Sequence, residues 1–223
     1  ESCIDSFQNV IYRNGAADFE VKPSEMDEVD YSQFTALITA GTVFAGQPSR
    51  DATFRAFENA RAQGIPVIFD IDYRPYSWPS PQVASEVLSR AGEESDMIVG
   101  NDEEFGFMAG DIDKGLEKAR DLASAANRLV IYKMGEEGAI TLYNNEEIRT
   151  GIFPTDAIKP VGAGDSFMAG LLSSLASGYD LKNSVIRGSA CASIVVSLPG
   201  CAPAMPDEDQ LNNFINNSLI KDL

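Results

Sequence analysis

The residues with the clearest potential for chemistry are Gly162, Ala163, Gly164 and Asp165, which stand directly before an apolar, periodic run. Two glycines around a small residue let the backbone turn tightly and expose its N–H groups. A helix that begins there adds unpaired N–H groups and the positive end of its dipole, which together can bind a phosphate. Asp165 stands among those donors, where its carboxylate stays ionised and can accept a proton from a hydroxyl. The pattern therefore favours phosphoryl transfer to an alcohol, although Asp165 could also merely cap the helix.

The residue composition excludes several kinds of catalytic site. The chain contains no histidine, which removes Ser-His-Asp and Cys-His nucleophile systems as well as His-ligated metals. Acid–base chemistry must then fall to Asp, Glu, Lys, Tyr or Cys. The cysteines are Cys3, Cys191 and Cys201, an odd and sparse set without a CxxC spacing, which argues against a disulfide framework or a zinc site. The same set fits the reducing cytoplasm, where we expect the protein to act.

The charge and hydropathy of the chain limit its partners. A net charge of −17 argues against nucleic acid, because a polyanion would be repelled. No apolar run approaches the ~18 residues of a membrane-spanning helix, so we expect no membrane partner. The 223 residues suffice for one sizeable core with a small appendage. Basic residues are scarce, and those that bind an anionic ligand should gather near the glycines.

Short apolar runs alternate with helical patterns along most of the chain. Strands are predicted at 36–44, 66–71, 96–100 and 128–132. Helices are predicted at 49–63, 81–91, 103–108 and 113–126, and three more near Asp165, Leu181 and Pro206. A hairpin is predicted at 138–143 and 147–153 around Asn144-Asn145. This alternation is typical of an α/β fold with a mostly parallel sheet that is covered on both faces.

The first 22 residues follow a different pattern. Residues 5–12 and 16–22 predict two strands that are joined by Arg13-Asn14-Gly15. No helix accompanies this hairpin. Because an isolated hairpin is marginally stable in water, it must pack against another surface.

Polar residues and glycines follow the predicted strands at the points where the strands end. They are Asp70, Asp72 and Arg74 after the second strand, Asn101 and Glu104 after the third, and Lys133, Gly135 and Gly138 after the fourth. Ligands of open α/β sheets bind beyond the carboxyl ends of the strands, so these residues predict a site. Each also has a purely structural interpretation, as a turn residue, a helix cap or a turn glycine.

Three motifs carry a resemblance to a known family. The segment 160–170 is similar to the C-terminal signature of ribokinase-like (PfkB-type) carbohydrate kinases. Asn101-Asp-Glu-Glu104 resembles their N-x-x-E motif, and Lys133-Met-Gly-Glu-Glu-Gly138 resembles their nucleotide-loop G-x-x-G. The resemblance runs through nearly all of the chain. It implies a three-layer α/β/α sandwich with a mostly parallel sheet, a small β lid to which residues 1–22 contribute, and a kinase core in residues 23–223.

The resemblance also implies a role for each matching residue. Asp165 would accept the proton of a sugar hydroxyl, while Gly162, Ala163 and Gly164 would offer N–H groups to the transferring phosphoryl. Asn101 and Glu104 would order water and Mg²⁺ near the phosphates of ATP. The residues expected to line the nucleotide are Lys133, Gly135, Gly138, Ser189 and Ser193. The residues expected to face the sugar are Arg13, Asp72 and Arg74. A homodimer through the lid is the oligomer that the resemblance allows.

The nature of the acceptor rests on weaker similarities within the family. The branch of 5-dehydro-2-deoxygluconokinases is most similar, through Tyr12-Arg13 followed by Ala17-Asp18, 70–75 with Trp78, 100–105 and 200–206. The 2-keto-3-deoxygluconate kinases look similar too, and a ribokinase, fructokinase or nucleoside kinase stays open. Arg13 and Arg74 favour a keto or acidic sugar over a nucleoside, because a guanidinium can fork onto a carboxylate. A non-catalytic nucleotide-binding remnant is a further alternative, against which the intact Asp165 argues.

The sequence departs from the family pattern in two respects. The chain opens at Glu1 within the expected lid, so we expect roughly the N-terminal third of the family fold, with its sugar-binding Gly-Gly motif, to be absent. Activity of this polypeptide alone is therefore in question. Many relatives also place an aspartate six residues before the catalytic one, where it helps bind a monovalent cation, and here that position is Lys159. Lys159 puts a K⁺ requirement in doubt, unless its side chain simply points to solvent.

Overall fold

The computed structural model describes residues 13, 15–125 and 127–221. The first predicted lid strand, 5–12, lies outside these residues. The strands are β1 Leu37–Ala40, β2 Val67–Asp70, β3 Met97–Asn101, β4 Leu129–Lys133, β5 Ala139–Tyr143 and β6 Glu146–Thr150. The helices are α1 Pro23–Met26, α2 Ser49–Ala62, α3 Pro81–Glu93, α4 Asp102–Ala109, α5 Gly115–Ala123, α6 Ala163–Ala176, α7 Leu181–Val196 and α8 Glu208–Asn217.

The described residues fall into two compact units. The sheet unit comprises the residues up to Met134 together with Ile140–Glu147. The helical unit comprises Gly135–Ala139 and the described part of Ile148–Leu223. Within the described residues, no helix is long and apolar enough to span a bilayer.

The six strands form one sheet in the order β1-β2-β3-β4-β5-β6. The first four pair in parallel, with Leu37 opposite Val67, Ile68 opposite Met97 and Asn101 opposite Lys133. Successive residues of β2 and β3 are buried, as expected for parallel strands whose two faces are both covered. The α/β fold with a mostly parallel sheet is therefore confirmed.

Aromatic side chains fill the core of the sheet unit. The ring of Phe44 lies edge-on to Phe57 and Phe69, with centroids 5.8 and 5.9 Å apart. All three side chains are fully buried. Burial of each such ring contributes on the order of 1.5–3 kcal/mol to folding. The inward position of Phe44 also explains why the predicted strand 36–44 stops early.

Strand β1 ends at Ala40, and Gly41–Phe44 forms a 3₁₀ turn instead of continuing the strand. A Cβ atom at Gly41 would lie 1.9 Å from the carbonyl oxygen of Ile71, so only glycine permits this approach. The turn carries Phe44 from the strand into the core. Tertiary packing therefore overrides the β propensity of the Thr-Val-Phe segment.

The predicted lid strand over 16–22 is wrong where the structure describes it. Ala17–Phe19 is a 3₁₀ turn, and α1 begins at Pro23. Backbone N–H groups bond three residues back, from Phe19 to Ala16 and from Glu20 to Ala17, so they cannot enter a strand ladder. The side chain of Arg13 pairs with Asp18 and lies 4.3 Å over the ring of Phe19. These local contacts stabilise a compact turn.

The two-residue turn between β5 and β6 confirms the predicted hairpin. Asn144 and Asn145 both have positive φ, at 50° and 63°. Asparagine tolerates this region better than most residues, and turns of this hand match the twist of the strands.

The predicted helix 113–126 is shorter than expected: Ile112–Lys114 is a 3₁₀ turn, and α5 ends at Ala123.

Helices α6 and α7 pack closely in the helical unit because two glycines allow it. A Cβ at Gly170 would lie 2.7 Å from Cys191 Sγ, and one at Gly188 would lie 2.7 Å from the Phe167 carbonyl oxygen. The buried thiol of Cys191 has its pKa raised to about 11, mainly by burial. Such a thiol is unreactive, which fits a structural role.

A buried arginine ties the three helices of this unit together. Arg187 on α7 donates to Ser174 Oγ at 2.9 Å, Asn212 Oδ1 at 2.8 Å and Glu208 Oε1 at 2.6 Å. Its guanidinium also lies 4.4 Å from the ring centre of Tyr179. The Nε, Nη1 and Nη2 atoms of Arg187 thus all donate hydrogen bonds to neighbouring helices.

Candidate functional site

The N-terminus of α6 is shaped by a left-handed glycine. Gly162 is the N-cap at a φ of 88°, and a Cβ there would lie 3.1 Å from both Cys201 Sγ and Val195 Cγ1. The Ala163 N–H donates to the Pro160 carbonyl oxygen at 3.3 Å. The N–H groups of the next two residues, Gly164 and Asp165, have no partner among the described residues. They are the donors that the helix start leaves for an anion.

The carboxylate of Asp165 is exposed beside these donors. No described residue forms a hydrogen bond or ion pair with it, and the N-cap position belongs to Gly162. The alternative that Asp165 is the helix cap is therefore wrong for the described structure. Asp165 lies in the first turn of α6, at the positive end of the helix dipole. A proton acceptor and unpaired N–H groups thus lie within one turn of helix.

Lys159 precedes this turn, and its side chain is buried, with 4% of its surface exposed. Its Nζ donates to the carbonyl oxygens of Val161 at 2.9 Å and Val195 at 2.8 Å. The alternative that Lys159 points to solvent is therefore wrong. Val161 directly precedes the N-cap Gly162, so Lys159 fixes the backbone just before α6.

In the sheet unit, the end of β3 leads into α4 through a reciprocal cap. Asn101 Oδ1 accepts from the Glu104 N–H at 2.8 Å, and Glu104 Oε2 accepts from the Asn101 N–H at 2.8 Å. The structural interpretation of Asn101 as a helix cap is therefore correct. It does not exclude ligand contacts, because each side chain retains acceptor capacity beyond these bonds.

Glu104 is a buried carboxylate at the strand ends, and its pKa is shifted. Burial raises its pKa, and the charge of nearby Asp72 acts in the same direction. Lys133, the Asn101 N–H and Arg74 lower the pKa in partial compensation. These electrostatic effects show that the residues after β2, β3 and β4 lie within range of one another, as the strand-end argument predicts. Perturbed carboxylates in such surroundings are candidates for functional sites.

The loop after β2 carries an ion pair at this edge. Arg74 donates to Asp72 Oδ1 at 2.6 Å, and Asp72 has a positive φ of 34°. The Arg74 side chain is 45% exposed, so an anionic ligand can reach the guanidinium. Arg13, which was also predicted to face the sugar, pairs with Asp18.

The glycines of the predicted nucleotide loop both need their backbone freedom. Gly135 and Gly138 have φ values of 56° and 82°. A Cβ at Gly138 would lie 2.1 Å from the carbonyl oxygen of Thr150, whereas none would clash at Gly135. Gly138 is thus required by packing, and Gly135 by its backbone conformation alone.

The two serines predicted near the nucleotide base are buried on α7. Ser189 and Ser193 are 8% and 7% exposed. The Ser193 hydroxyl donates to the Phe153 carbonyl oxygen at 2.8 Å, which is a structural use. Their role toward a nucleotide stays a prediction.

Comparison with known proteins decides the family. The chain matches the model of the pfkB family carbohydrate kinases over residues 7–208. The chain belongs to this family. The family predicted from the three motifs is therefore confirmed.

Two enzymes named 5-dehydro-2-deoxygluconokinase are among the relatives of this family member. The one from Geobacillus thermodenitrificans is 37% identical over 215 residues, which cover 93% of this chain and 63% of the relative. The one from Photobacterium profundum is 39% identical over 212 residues, which cover 92% and 64%. The chain thus spans somewhat less than two thirds of the length of these relatives.

The solved structure of a similar protein supports the fold. The fructokinase of Vibrio cholerae O395, in a form with bound fructose, ADP and calcium, has a TM-score of 0.73 and 26% identity. The match covers 83% of this chain and 64% of that one. The ribokinase-like α/β fold predicted from the resemblance is confirmed.

The residues of this family member suit a divalent cation held mainly by nucleotide and water. Among the described residues, no cluster of three or more acidic or cysteine side chains could hold a metal ion. Mg²⁺ commonly keeps several waters and uses one or two carboxylates together with substrate phosphates. Asn101 and Glu104 fit that pattern, because both offer oxygen atoms at the end of β3.

The sequence patterns singled out Lys159 without predicting its burial, and they gave no sign of the buried cation Arg187. Charged side chains are rarely fully buried, so hydrophobic periodicity gives no reason to expect either. Their partners lie up to 36 residues away in the chain, at Val195 for Lys159. A surface depression of about 430 Å³ between α3 and α4, near Ser85 and Phe107, was also unexpected and includes no predicted site residue.

Proposed function

We propose that the protein is an ATP-dependent sugar kinase that transfers the γ-phosphoryl group of ATP to a hydroxyl of a keto or acidic sugar. The observation that carries the proposal is the Asp165 carboxylate, which has no partner among the described residues and stands beside the N–H groups of Gly164 and Asp165 that are likewise unpaired there. A base next to an anion cradle has the chemistry that phosphoryl transfer to an alcohol requires.

In the proposed reaction, Asp165 accepts the proton of the attacking hydroxyl. The hydroxyl oxygen forms a bond to the γ-phosphorus while the bond from that phosphorus to the β,γ-bridging oxygen breaks, and ADP leaves with the electron pair. The N–H groups at the start of α6 stabilise the negative charge on the transferring phosphoryl. Such preorganised donors act without reorganisation at the moment of reaction.

The nucleotide and its cation are assigned to the other predicted residues. A divalent cation, which we propose to be Mg²⁺, would neutralise phosphate charge when bound. Asn101 and Glu104 would order the water that surrounds it. Lys133 would contribute positive charge to the phosphates. The remaining nucleotide contacts are proposed for Gly135, Gly138, Ser189 and Ser193.

The acceptor is proposed to be 5-dehydro-2-deoxy-D-gluconate. Two relatives carry this activity in their names, and the exposed guanidinium of Arg74 suits a sugar with a carboxylate. The pairing of Arg74 with Asp72 supports this, because the carboxylate of a ligand can take the place of a side-chain acid. Arg13 is proposed to assist from the segment of residues 1–22. A cytoplasmic location and a homodimer through that segment remain predictions.

The experiment measures turnover with Asp165→Asn in the protein expressed from its complete reading frame. Asparagine has nearly the same shape but cannot take the proton, so turnover should fall about 10²–10⁴-fold. Asp209→Asn, which changes an exposed aspartate in the first turn of α8, is the matched control and should leave turnover unchanged. ATP affinity, measured by calorimetry, should stay within a few-fold in both variants.

The acceptor is tested with a panel of sugars. 5-Dehydro-2-deoxygluconate, 2-keto-3-deoxygluconate, fructose and ribose are compared by kcat/KM in an assay that detects ADP. A preference for a neutral sugar would overturn the acidic acceptor and leave the kinase intact. Retention of most turnover in Asp165→Asn would overturn the assignment of the base.

A further inference from the structure

The buried ammonium of Lys159 binds where main-chain carbonyl oxygens converge. Two of its three N–H donors are used by Val161 and Val195, at 2.9 and 2.8 Å. Val195 lies in the last turn of α7, and its carbonyl oxygen also accepts from the Leu198 N–H at 3.4 Å. A buried cation is tolerated only when such partners satisfy it. The contacts of Lys159 therefore serve both the charge and the helix end.

Converging carbonyl oxygens are also what a monovalent metal cation binds when it loses its hydration shell. In this chain an ammonium group already occupies that position. A second cation at the same oxygens would lie beside a full positive charge in a buried place, and the repulsion would be strong. K⁺ therefore does not fit the residues around Lys159.

The carbonyl of Val161 is held from two sides. Besides Lys159, the thiol of Cys201 approaches the same oxygen at 3.6 Å. Gly162, the next residue, leaves only 3.1 Å between an added Cβ and Cys201 Sγ. The backbone just before the α6 N-cap is thus fixed by a charge, a thiol and close packing.

We propose that Lys159 is a built-in monovalent cation that fixes the start of α6 and makes the protein independent of K⁺. The consequence of Lys159 for phosphoryl transfer rests on the proposed function. Its effect on the backbone between Val161 and Asp165 does not. Lys159 touches neither substrate nor nucleotide in this proposal. It is a positioning residue, which acts through the backbone between Val161 and Asp165.

The test compares wild type, Lys159→Ala and the control Lys182→Ala, which removes an exposed lysine from α7. Each is measured in KCl, NH₄Cl and tetramethylammonium chloride at equal ionic strength. The readouts are hydrogen exchange of a peptide that covers 160–168, the melting temperature, and turnover with the best acceptor. Tetramethylammonium is too large to replace the side chain.

Wild type and Lys182→Ala should give the same values in all three salts. Lys159→Ala should exchange faster at 160–168 and lose about tenfold or more in turnover, the factor expected when charge-assisted hydrogen bonds are removed. NH₄⁺ or K⁺ should restore part of both losses, and tetramethylammonium should restore neither. If Lys159→Ala does not fold, Lys159→Met keeps the stem and is tested for the same salt response.

Three outcomes separate the possibilities. Strong stimulation of wild type by K⁺ would overturn the inference. A loss in Lys159→Ala and Lys159→Met that no cation restores would also overturn it, because Lys159 would then serve packing alone. If the exchange pattern holds while wild type transfers no phosphoryl group to any sugar, the inference about the loop stands and the proposed function fails.

Discussion

The replacement Glu104→Gln separates the structural and chemical uses of one buried carboxylate. An amide oxygen can still accept from the Asn101 N–H, which Glu104 binds at 2.8 Å. The hydrogen bond from the Asn101 N–H then has a neutral acceptor, which lowers the free energy of unfolding by about 1 kcal/mol. Because glutamine buries no charge, the desolvation cost falls by a similar amount. We therefore expect the free energy of unfolding to change by no more than about 1 kcal/mol. Glu104→Ala removes the acceptor and should cost about 0.5–2 kcal/mol.

The pH dependence of stability provides a sharper test of the same variant. Burial raises the folded-state pKa of Glu104 above its ordinary value of 4.5. The folded state then holds this proton at a pH at which the unfolded state has released it. The stabilisation is fully present below the unfolded pKa and is lost as pH rises through the folded pKa. Glutamine does not titrate, so the stability of Glu104→Gln relative to wild type should increase as pH rises from 4.5 through the raised folded-state pKa of Glu104.

The assays are urea denaturation across this pH range and a titration of nucleotide binding with Mg²⁺. Glu104→Gln should need roughly tenfold more Mg²⁺ for half-maximal ADP binding, because a charged oxygen near the bound waters is lost. Two results would refute the reasoning. A stability loss as large as that of Glu104→Ala would show that the charge itself holds α4, and an unchanged Mg²⁺ requirement would remove Glu104 from the cation site.

Three further predictions concern the acceptor, the anion loop and the helical unit. Arg74→Ala should raise the KM of the acceptor about tenfold and more than the KM of ATP, and equal changes would argue against a sugar contact. Gly162→Ala should unfold more easily than Gly178→Ala, because both have φ near 90° but only Gly162 is crowded; equal melting temperatures would contradict this. Arg187→Met should lose about 2–4 kcal/mol of unfolding free energy, and Glu208→Gln, which changes the exposed end of the pair, under about 1 kcal/mol, both by urea denaturation.

Most helices and strands were predictable from local patterns. Helix α2 was expected over 49–63 and spans Ser49–Ala62, because its apolar spacing and the following glycine are both local signals. The turn at Asn144-Asn145 likewise followed from residue types that tolerate positive φ. The parallel pairing of β1 to β4 followed from the alternation of strands and helices, whereas the order of the strands was not predicted.

The two departures have different causes, one from atoms distant in the chain and one from side-chain contacts between nearby residues. β1 ends at Ala40 because Gly41 meets the backbone of Ile71, and no local pattern encodes that meeting. The turn at Ala17–Phe19 depends on the contacts of Arg13 with Asp18 and Phe19. Propensity is a weak guide in both places, because such contacts exceed the fractions of a kcal/mol that it contributes.

The positions of the basic residues refine the argument from net charge. In so acidic a chain, the few cations were expected to gather at an anion site, yet several donate to main-chain carbonyls instead. Arg128 binds the carbonyls of Ser95 and Leu122, and Arg50 binds that of Phe44. The fold fixes these carbonyl oxygens in place beside the cations. A phosphate or a sugar acid therefore cannot displace them. Arg74 differs, because its partner is a side chain on an exposed loop that can yield to an anionic ligand. Arg55, Arg90 and Arg120 also pair with side-chain acids. The position of Arg74 directly after β2, together with the kind of partner it has, therefore makes it the basic residue best suited to bind a substrate.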